Sequence, residues 1–322
     1  MRSLKISRAL PGSPDAGEAA YRDQWAWQKI GVETASSIVK ARLEVLREPI
    51  KVAIVDWGIQ LDHEAFDPIR GMISAARVIL PHDGDFGDDD GHGTMLAGTI
   101  AGIANNLCSG RDAVRLVELL AVKFIDVLTP PTSDNAARAI RYAVEKGARI
   151  INASWDVGLN SPELRNAITE AAEAGDKGVL VVVAAGNDGG SNDRYPAFPA
   201  ASFPATSRPS NMIVVMATNE HDEKPGFSNY GPGTVDIAAP GVNIVSTSPY
   251  LLPSNHHLAY RRYSGTSAAA AHVSGAAALL LSMNPDWKPA DIRKRLIDSA
   301  DKLPGLECYC HLGARLNLGN AL

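Results

Sequence analysis

Three side chains, Asp56, His92 and Ser267, have the types that together activate a hydroxyl nucleophile. A serine hydroxyl attacks poorly at neutral pH because its proton has to leave as it attacks. An imidazole, with an ordinary pKa of about 6.5, can take that proton and give it back. A carboxylate on the far ring nitrogen would hold one tautomer and stabilise the imidazolium. The oxyanion that forms needs donors. The backbone N–H of Ser267 is one candidate and the side-chain amide of Asn187 is the other. Each residue alone has a plainer use: Asp56 as a turn residue, His92 as a structural or solvated imidazole, Ser267 as an N-cap.

The elements around these residues decide between the two uses. Ile50–Val55 is a short β-branched run that reads as a buried strand, and Asp56 stands at its C-terminal end. Open α/β sheets place their functional groups at such strand ends. An acidic, loop-like stretch from His82 to Asp90 leads to Gly91-His92-Gly93-Thr94, where a helix rich in small residues begins. Further strands are expected over Leu119–Ile125, Ala148–Ala153, Gly178–Ala184, Asn211–Thr218, Val235–Ala239 and Asn243–Thr247. Helices are expected over 33–47, Ser133–Lys146, Ser161–Ala174 and Lys288–Ser299. Ser267 opens Ala268–Leu281, a run with no charged face that a helix would bury on nearly all sides. The alternation of strand and helix argues for a parallel sheet with helices on both faces. Residues 1–20, rich in Pro, Gly, Ser and Ala, read as an arm or linker, and one domain runs from residue 21 to 322.

Composition narrows the partners. The chain has 322 residues, 45% of them hydrophobic, and a net charge of −5 with no basic tract, which argues against nucleic acid. No apolar run reaches the length needed to span a bilayer, since His272 and polar residues interrupt the longest one. Three cysteines, Cys108, Cys308 and Cys310, do not make a disulfide framework, although a bridge from Cys108 to either of the others stays open. That low count, with no apolar signal-like core in Met1–Gly12, favours a cytoplasmic over a secreted location.

The order of the three residues is informative. The α/β-hydrolases run Ser, acid, His through Gly-x-Ser-x-Gly, whereas this chain runs Asp, His, Ser and reads Gly265-Thr266-Ser267-Ala268-Ala269. Here the chain resembles the subtilisin-like serine proteases over almost its whole length. Val52–Gly58 resembles the family's aspartate motif, Gly91–Thr94 with Ala97–Thr99 its histidine motif, and Ala184–Asn187 its oxyanion motif. Phe227–Gly231 with Ala238–Gly241 resembles the segment before the nucleophile, and Gly265–Ser267 with His272-Val273 the serine motif. Trp25–Gly31 and Arg315–Asn317 resemble the two ends of the mature domain. The resemblance implies a doubly wound, mainly parallel β-sheet flanked by helices on both faces. It also implies endopeptide hydrolysis through an acyl-enzyme, no required cofactor, a protein or peptide substrate, a pro-segment or inhibitor partner, and a monomer. Relatives with a glutamate base and an oxyanion-hole aspartate are excluded, because those positions are His92 and Asn187.

The departures cluster where such an enzyme meets its substrate. The family pairs an extended peptide with two strand edges, a form of β-augmentation. One edge falls on Thr129-Pro130-Pro131-Thr132, where Pro130 and Pro131 have no N–H to donate. The other reads Ser154-Trp155-Asp156-Val157-Gly158. Asp156 or Val157 in place of glycine would narrow the pocket, and Asp156 would pair with a basic side chain; alternatively the loop is shifted and Asp156 faces solvent. These edges motivate a narrow processing protease or peptide ligase as the alternative function, with a non-catalytic peptide binder as a third. Ala268 leaves a gap beside the nucleophile that Met95 or Trp57 would fill. Calcium is weakly supported: Ala104–Leu107 partly resembles a family loop, but Ala65 stands where an acidic ligand is expected, and Asp83–Asp90 reads as a solvated loop rather than a metal site.

Overall fold

The computed structural model describes residues 24–41, 49–77, 87–106, 116–126, 128, 130–249 and 259–322. The arm expected over 1–20 therefore lies outside the described residues, as do Cys108, Thr129 and Asp83–Phe86.

In chain order the helices are α1 (Trp25–Lys29), α2 (Val32–Lys40), α3 (His92–Asn106), α4 (Ser133–Glu145), α5 (Pro162–Glu170), α6 (Thr266–Met283), α7 (Pro289–Asp298) and α8 (Leu318–Ala321). The strands are β1 (Ile50–Asp56), β2 (Ile73–Arg77), β3 (Val117–Lys123), β4 (Ile150–Ala153), β5 (Leu180–Ala184), β6 (Met212–Thr218), β7 (Ile237–Pro240), β8 (Ile244–Thr247), β9 (Tyr260–Tyr263), β10 (Asp301–Lys302) and β11 (Ala314–Arg315). Nine of them form one sheet in the order β10-β11-β7-β6-β5-β4-β1-β3-β2, and β8 with β9 forms a separate hairpin. Only the β10–β11 pair of the nine-stranded sheet is antiparallel. This is the doubly wound α/β architecture that the alternating pattern implies.

The period-2 direction of strand side chains divides the core in two. Val52, Ile54, Leu180, Val182, Ile213 and Val215 pack with α3 and α6 on one face. Ala53, Val55, Val181, Val183, Val214 and Met216 pack with α4 and α5 on the other. Strands buried on both faces read as unbroken apolar runs, which is why β1, β5 and β6 were legible without alternation. The expected helix over 33–47 is shorter: α2 ends at Lys40, and 42–48 lie outside the described residues. The sequence reading missed the 3₁₀ segment Glu64–Met72, strand β2 and strand β9. All three contain polar or charged residues that mask any apolar period.

All eighteen residues of α6 are buried. By length and composition it is long enough to cross a membrane, which corrects the expectation that no run reaches that length; here it is the central core helix. Its small residues let the neighbouring helix approach, since a Cβ at Gly275 would lie 2.7 Å from Ile103 Cδ1 on α3.

Candidate functional site

Strands β1, β4 and β5 end at the same edge of the sheet, and α3 and α6 begin there. Asp56 closes β1, in register with Lys123 of β3, and is 1% exposed. The Nδ1–H of His92 donates to Asp56 Oδ1 at 2.8 Å, and Trp57 N donates to the same oxygen at 2.9 Å. With Nδ1 committed to the carboxylate, Nε2 is the nitrogen left to exchange a proton. Burial works against charging His92, but Asp56, by charge and hydrogen bond, and then Asp90 and Asp88 outweigh it and raise the imidazole to about 9.

The start of α3 is fixed by Asp88, which sequence reasoning placed in a solvated acidic loop. That expectation is corrected for Asp88 alone, since Asp89 and Asp90 are exposed in a loop. Asp88 is 2% exposed. Its Oδ1 accepts from Gly91 N at 2.8 Å and Asp90 N at 3.2 Å, and its Oδ2 accepts from Thr94 N at 2.7 Å. These are free donors of a helix start, which a carboxylate satisfies well. Burial is the main cause that lifts Asp88 to about 6. Asp89 pairs with the buried ammonium of Lys123 at 2.7 Å.

Ser267 lies in the first turn of α6, 4% exposed, and its Oγ donates to the Ser154 carbonyl at 3.4 Å. Asn187 follows β5. Its Oδ1 accepts from Thr266 N at 2.9 Å and from Thr266 Oγ1 at 3.1 Å, and Thr266 Oγ1 accepts from Gly186 N at 3.1 Å. A backbone N–H can only donate, so the atom facing Thr266 is the amide oxygen, and the NH₂ is what Asn187 has left to offer. A second bracket holds the same loop: Asn229 Oδ1 accepts from Asp188 N at 2.9 Å and Gly190 N at 3.1 Å, while its Nδ2 donates to Asn192 Oδ1 at 3.1 Å. The roles of Thr266, Asn192 and Asn229 had no local sequence signal, because their partners lie elsewhere along the chain.

Asp56, His92, Asn187 and Ser267 all line one cleft of about 700 Å³. Ser154, Trp155, Asp156, Gly158 and Pro131 line it too, whereas Pro130 does not and is exposed. Pro130 is thus placed off the cleft, and the reason is that the chain turns Pro131 inwards ahead of the Thr132 cap of α4. Val157 lines the cleft as well. Its N–H bonds Phe198 O at 2.8 Å and its side chain is packed in the core. Asp156 is exposed between buried Trp155 and Val157, with Oδ1 accepting from Phe198 N at 3.4 Å. Met95 shares the buried cluster of Ala268, while Trp57 packs against the cluster on the other face of the sheet.

Among the described residues no carboxylate-bearing calcium site is assembled. Ala65 offers no carboxylate, α3 runs on to Asn106, and Leu107 lies outside the described residues. Among the described residues no group of three or more His, Cys, Asp or Glu could hold a metal. Cys308 and Cys310 are free thiols, the first exposed and the second buried.

The sequence profile of the Subtilase family matches residues 47–314. Subtilisin Savinase of Lederbergia lenta is 35% identical over 260 residues, which cover 81% of this chain and 86% of that protein. Thermitase of Thermoactinomyces vulgaris is 34% identical over 272 residues, covering 84% and 88%. The Alkaline protease of Shouchella clausii is 35% identical over 260 residues, covering 81% of this chain and 61% of that protein. These likenesses overturn the cytoplasmic expectation, because such subtilisins, alkaline proteases and thermitase are secreted extracellular proteases. A low cysteine count misleads here, since a domain of this size buries enough surface to be stable without disulfides.

Proposed function

From the premise that this chain belongs to the subtilase family and is a serine endopeptidase that needs no cofactor, we propose that Asp56, His92 and Ser267 are its catalytic triad and that Asn187 is an oxyanion donor. The observation that carries the proposal is the 2.8 Å His92–Asp56 hydrogen bond in a cleft that Ser267 and Asn187 also line. Ser267 Oγ would attack the scissile carbonyl as His92 Nε2 takes its proton. The imidazolium would be held by Asp56 and would then protonate the leaving amine. The Ser267 N–H and the Asn187 amide would donate to the oxyanion in both tetrahedral intermediates. Water would then release the acyl group by the same route in reverse. All four groups come from one chain, which supports a monomer as the active unit, with protein or peptide as the substrate.

A fluorophosphonate probe tests this reading. It should label wild-type protein at Ser267, and Ser267→Ala should abolish labelling and lower kcat by about six orders of magnitude, the scale for loss of the nucleophile in a subtilisin. Folded wild-type protein that resists the probe would refute the assignment. A base held near 9 must lose a proton before it can act. The rate on an amide substrate should therefore climb about tenfold per pH unit below that value.

A further inference from the structure

Resting on the reading of His92 as the base, we propose that Asp88 is a positioning residue for catalysis. Its carboxylate holds the backbone on both sides of His92, and the imidazole stays aligned on Asp56 while that carboxylate is charged. Oδ1 of Asp88 accepts from Gly91 N at 2.8 Å, one residue before the histidine. Oδ2 accepts from Thr94 N at 2.7 Å, two residues after it. The Thr94 hydroxyl bonds the same carboxylate and accepts in turn from Gln60 N at 2.9 Å, on the segment that follows Asp56. The segment bearing Asp88 is tied to the sheet at the level of Asp56 as well. Lys123, the register partner of Asp56 on β3, is 1% exposed, and its ammonium donates to Gly87 O at 2.6 Å and to Asp89 Oδ2 at 2.7 Å. Both members of the His92–Asp56 pair therefore share one buried anchor.

A carboxylate can serve these N–H groups because both of its oxygens accept. Protonation puts a hydrogen on one oxygen, and the N–H on that side is left without its acceptor at a residue only 2% exposed. Burial has brought that proton within reach by lifting Asp88 to about 6. The charged and titratable groups around the pair are Asp56 on β1, Lys123 on β3, Asp89 and Asp90 next along the chain, and Arg261 and Tyr263 on β9. Tyr263 is pushed up to about 12, mainly by burial. His63 donates from Nε2 to Ala259 O at 2.8 Å, just before β9, and burial lowers it. The charge on Asp88 also raises His92. Loss of that charge and loss of position thus act in opposite directions on the rate in acid. A neutral Asp88 that left His92 in place would ease its deprotonation and flatten the profile, whereas a displaced imidazole would steepen it.

The experiment records kcat/KM on one peptide amide from about pH 5 to about pH 9 for the full chain and for Asp88→Asn. Tryptophan fluorescence gives the folded fraction at each pH, and the fluorophosphonate probe counts the active sites. In the wild type, the climb of about tenfold per pH unit should hold down to about 6 and steepen below it towards about a hundredfold per unit. That slope is the mark of a second group that must be ionised. Asp88→Asn keeps one accepting oxygen and turns an NH₂ towards a backbone N–H. At the top of its profile kcat should fall about ten- to a hundredfold with KM little changed, the scale for a misplaced catalytic group. Its climb should be complete at lower pH than in the wild type and should lack the steep segment. A wild-type profile that stays at tenfold per unit or flattens below about 6 overturns the proposal, whether or not the variant folds. So does folded Asp88→Asn with the kcat of the wild type, or one that keeps the steep segment, which would then belong to another group such as His63. Folded wild-type protein that the probe does not label overturns the reading of Ser267 and His92 instead.

Discussion

A methyl group added at Gly93 would lie 2.0 Å from the Gly58 carbonyl oxygen, whereas one added at Gly158 would meet nothing within 4 Å. Gly93 adjoins His92, and Gly158 lies on the wall of the same cleft. The contrast extends to the neighbours. Asp56 and His92 are 1% and 8% exposed and hydrogen-bonded to each other, while Tyr195, which lines the same cleft, is 68% exposed. The groups read as catalytic are fixed by elements that have no room to move, namely the ends of β1 and β5 and the starts of α3 and α6. The groups that would meet a substrate sit on segments with space around them. Chemistry needs positions held to a fraction of an ångström, and a cleft wall can change residues without disturbing them.

The largest test of this contrast is at Asn187. Its Oδ1 is held by Thr266 N and Thr266 Oγ1, so truncation removes a preset donor together with the acceptor of those two bonds. Asn187→Ala should lower kcat by about 10²–10³-fold, roughly 2.7–4 kcal/mol of transition-state stabilisation and the scale seen when this donor is removed in a subtilisin. KM should change little. A large rise in KM with kcat unchanged would move Asn187 from the fixed set to the recognition set.

Next in size is an acid limit on stability, set beneath the nucleophile. His272 lies on α6, is fully buried, and its Nδ1–H donates to Ala268 O at 2.8 Å. Burial is the main cause that lowers its imidazole to about 4. The folded state thus refuses a proton that the unfolded chain accepts near 6.5, and the contribution of His272 to stability falls as pH drops from there towards 4. The loss at the acid end should reach roughly 3 kcal/mol. In denaturant titrations at several pH values, His272→Gln should flatten this slope. An unchanged slope would place the acid sensitivity elsewhere.

How much of this was legible follows from where each signal lies. Asp56 and Ser267 ended or began unbroken apolar runs, and strands buried on both faces advertise themselves in that way. The motif order then fixed the fold class. Asp88 was hidden because a cap and a solvated acid look alike in the run up to Asp90; only its three backbone donors distinguish them. The direction of Val157 depends on its bridge to Phe198, a contact far along the chain that no local pattern encodes. Strands β10 and β11 are two residues each, too short to show any period. Compartment was misread because cysteine count reports on how stability is achieved in small domains and says little about a core of this size.

The smallest effects give the sharpest form of the comparison, because both changes add the same single carbon. Gly93→Ala must push α3 away from Gly58 O, a backbone atom with no flexible end to yield, and the Cβ would also lie 3.4 Å from Asp56 Cβ. Overpacking of this kind costs about 1–3 kcal/mol, and here it would displace His92 from Asp56 as well. Both the melting temperature and kcat should fall, with KM nearly constant. Gly158→Ala adds its carbon to open space at a residue without a left-handed backbone, so stability should stay within about 0.5 kcal/mol. What it should change is the ranking of substrates, read as kcat/KM across a set of peptides. If Gly93→Ala left kcat intact, the tight packing beside His92 would be a feature of folding alone. If Gly158→Ala destabilised the protein as much as Gly93→Ala, the two regions would share one tolerance and the contrast drawn from them would fail.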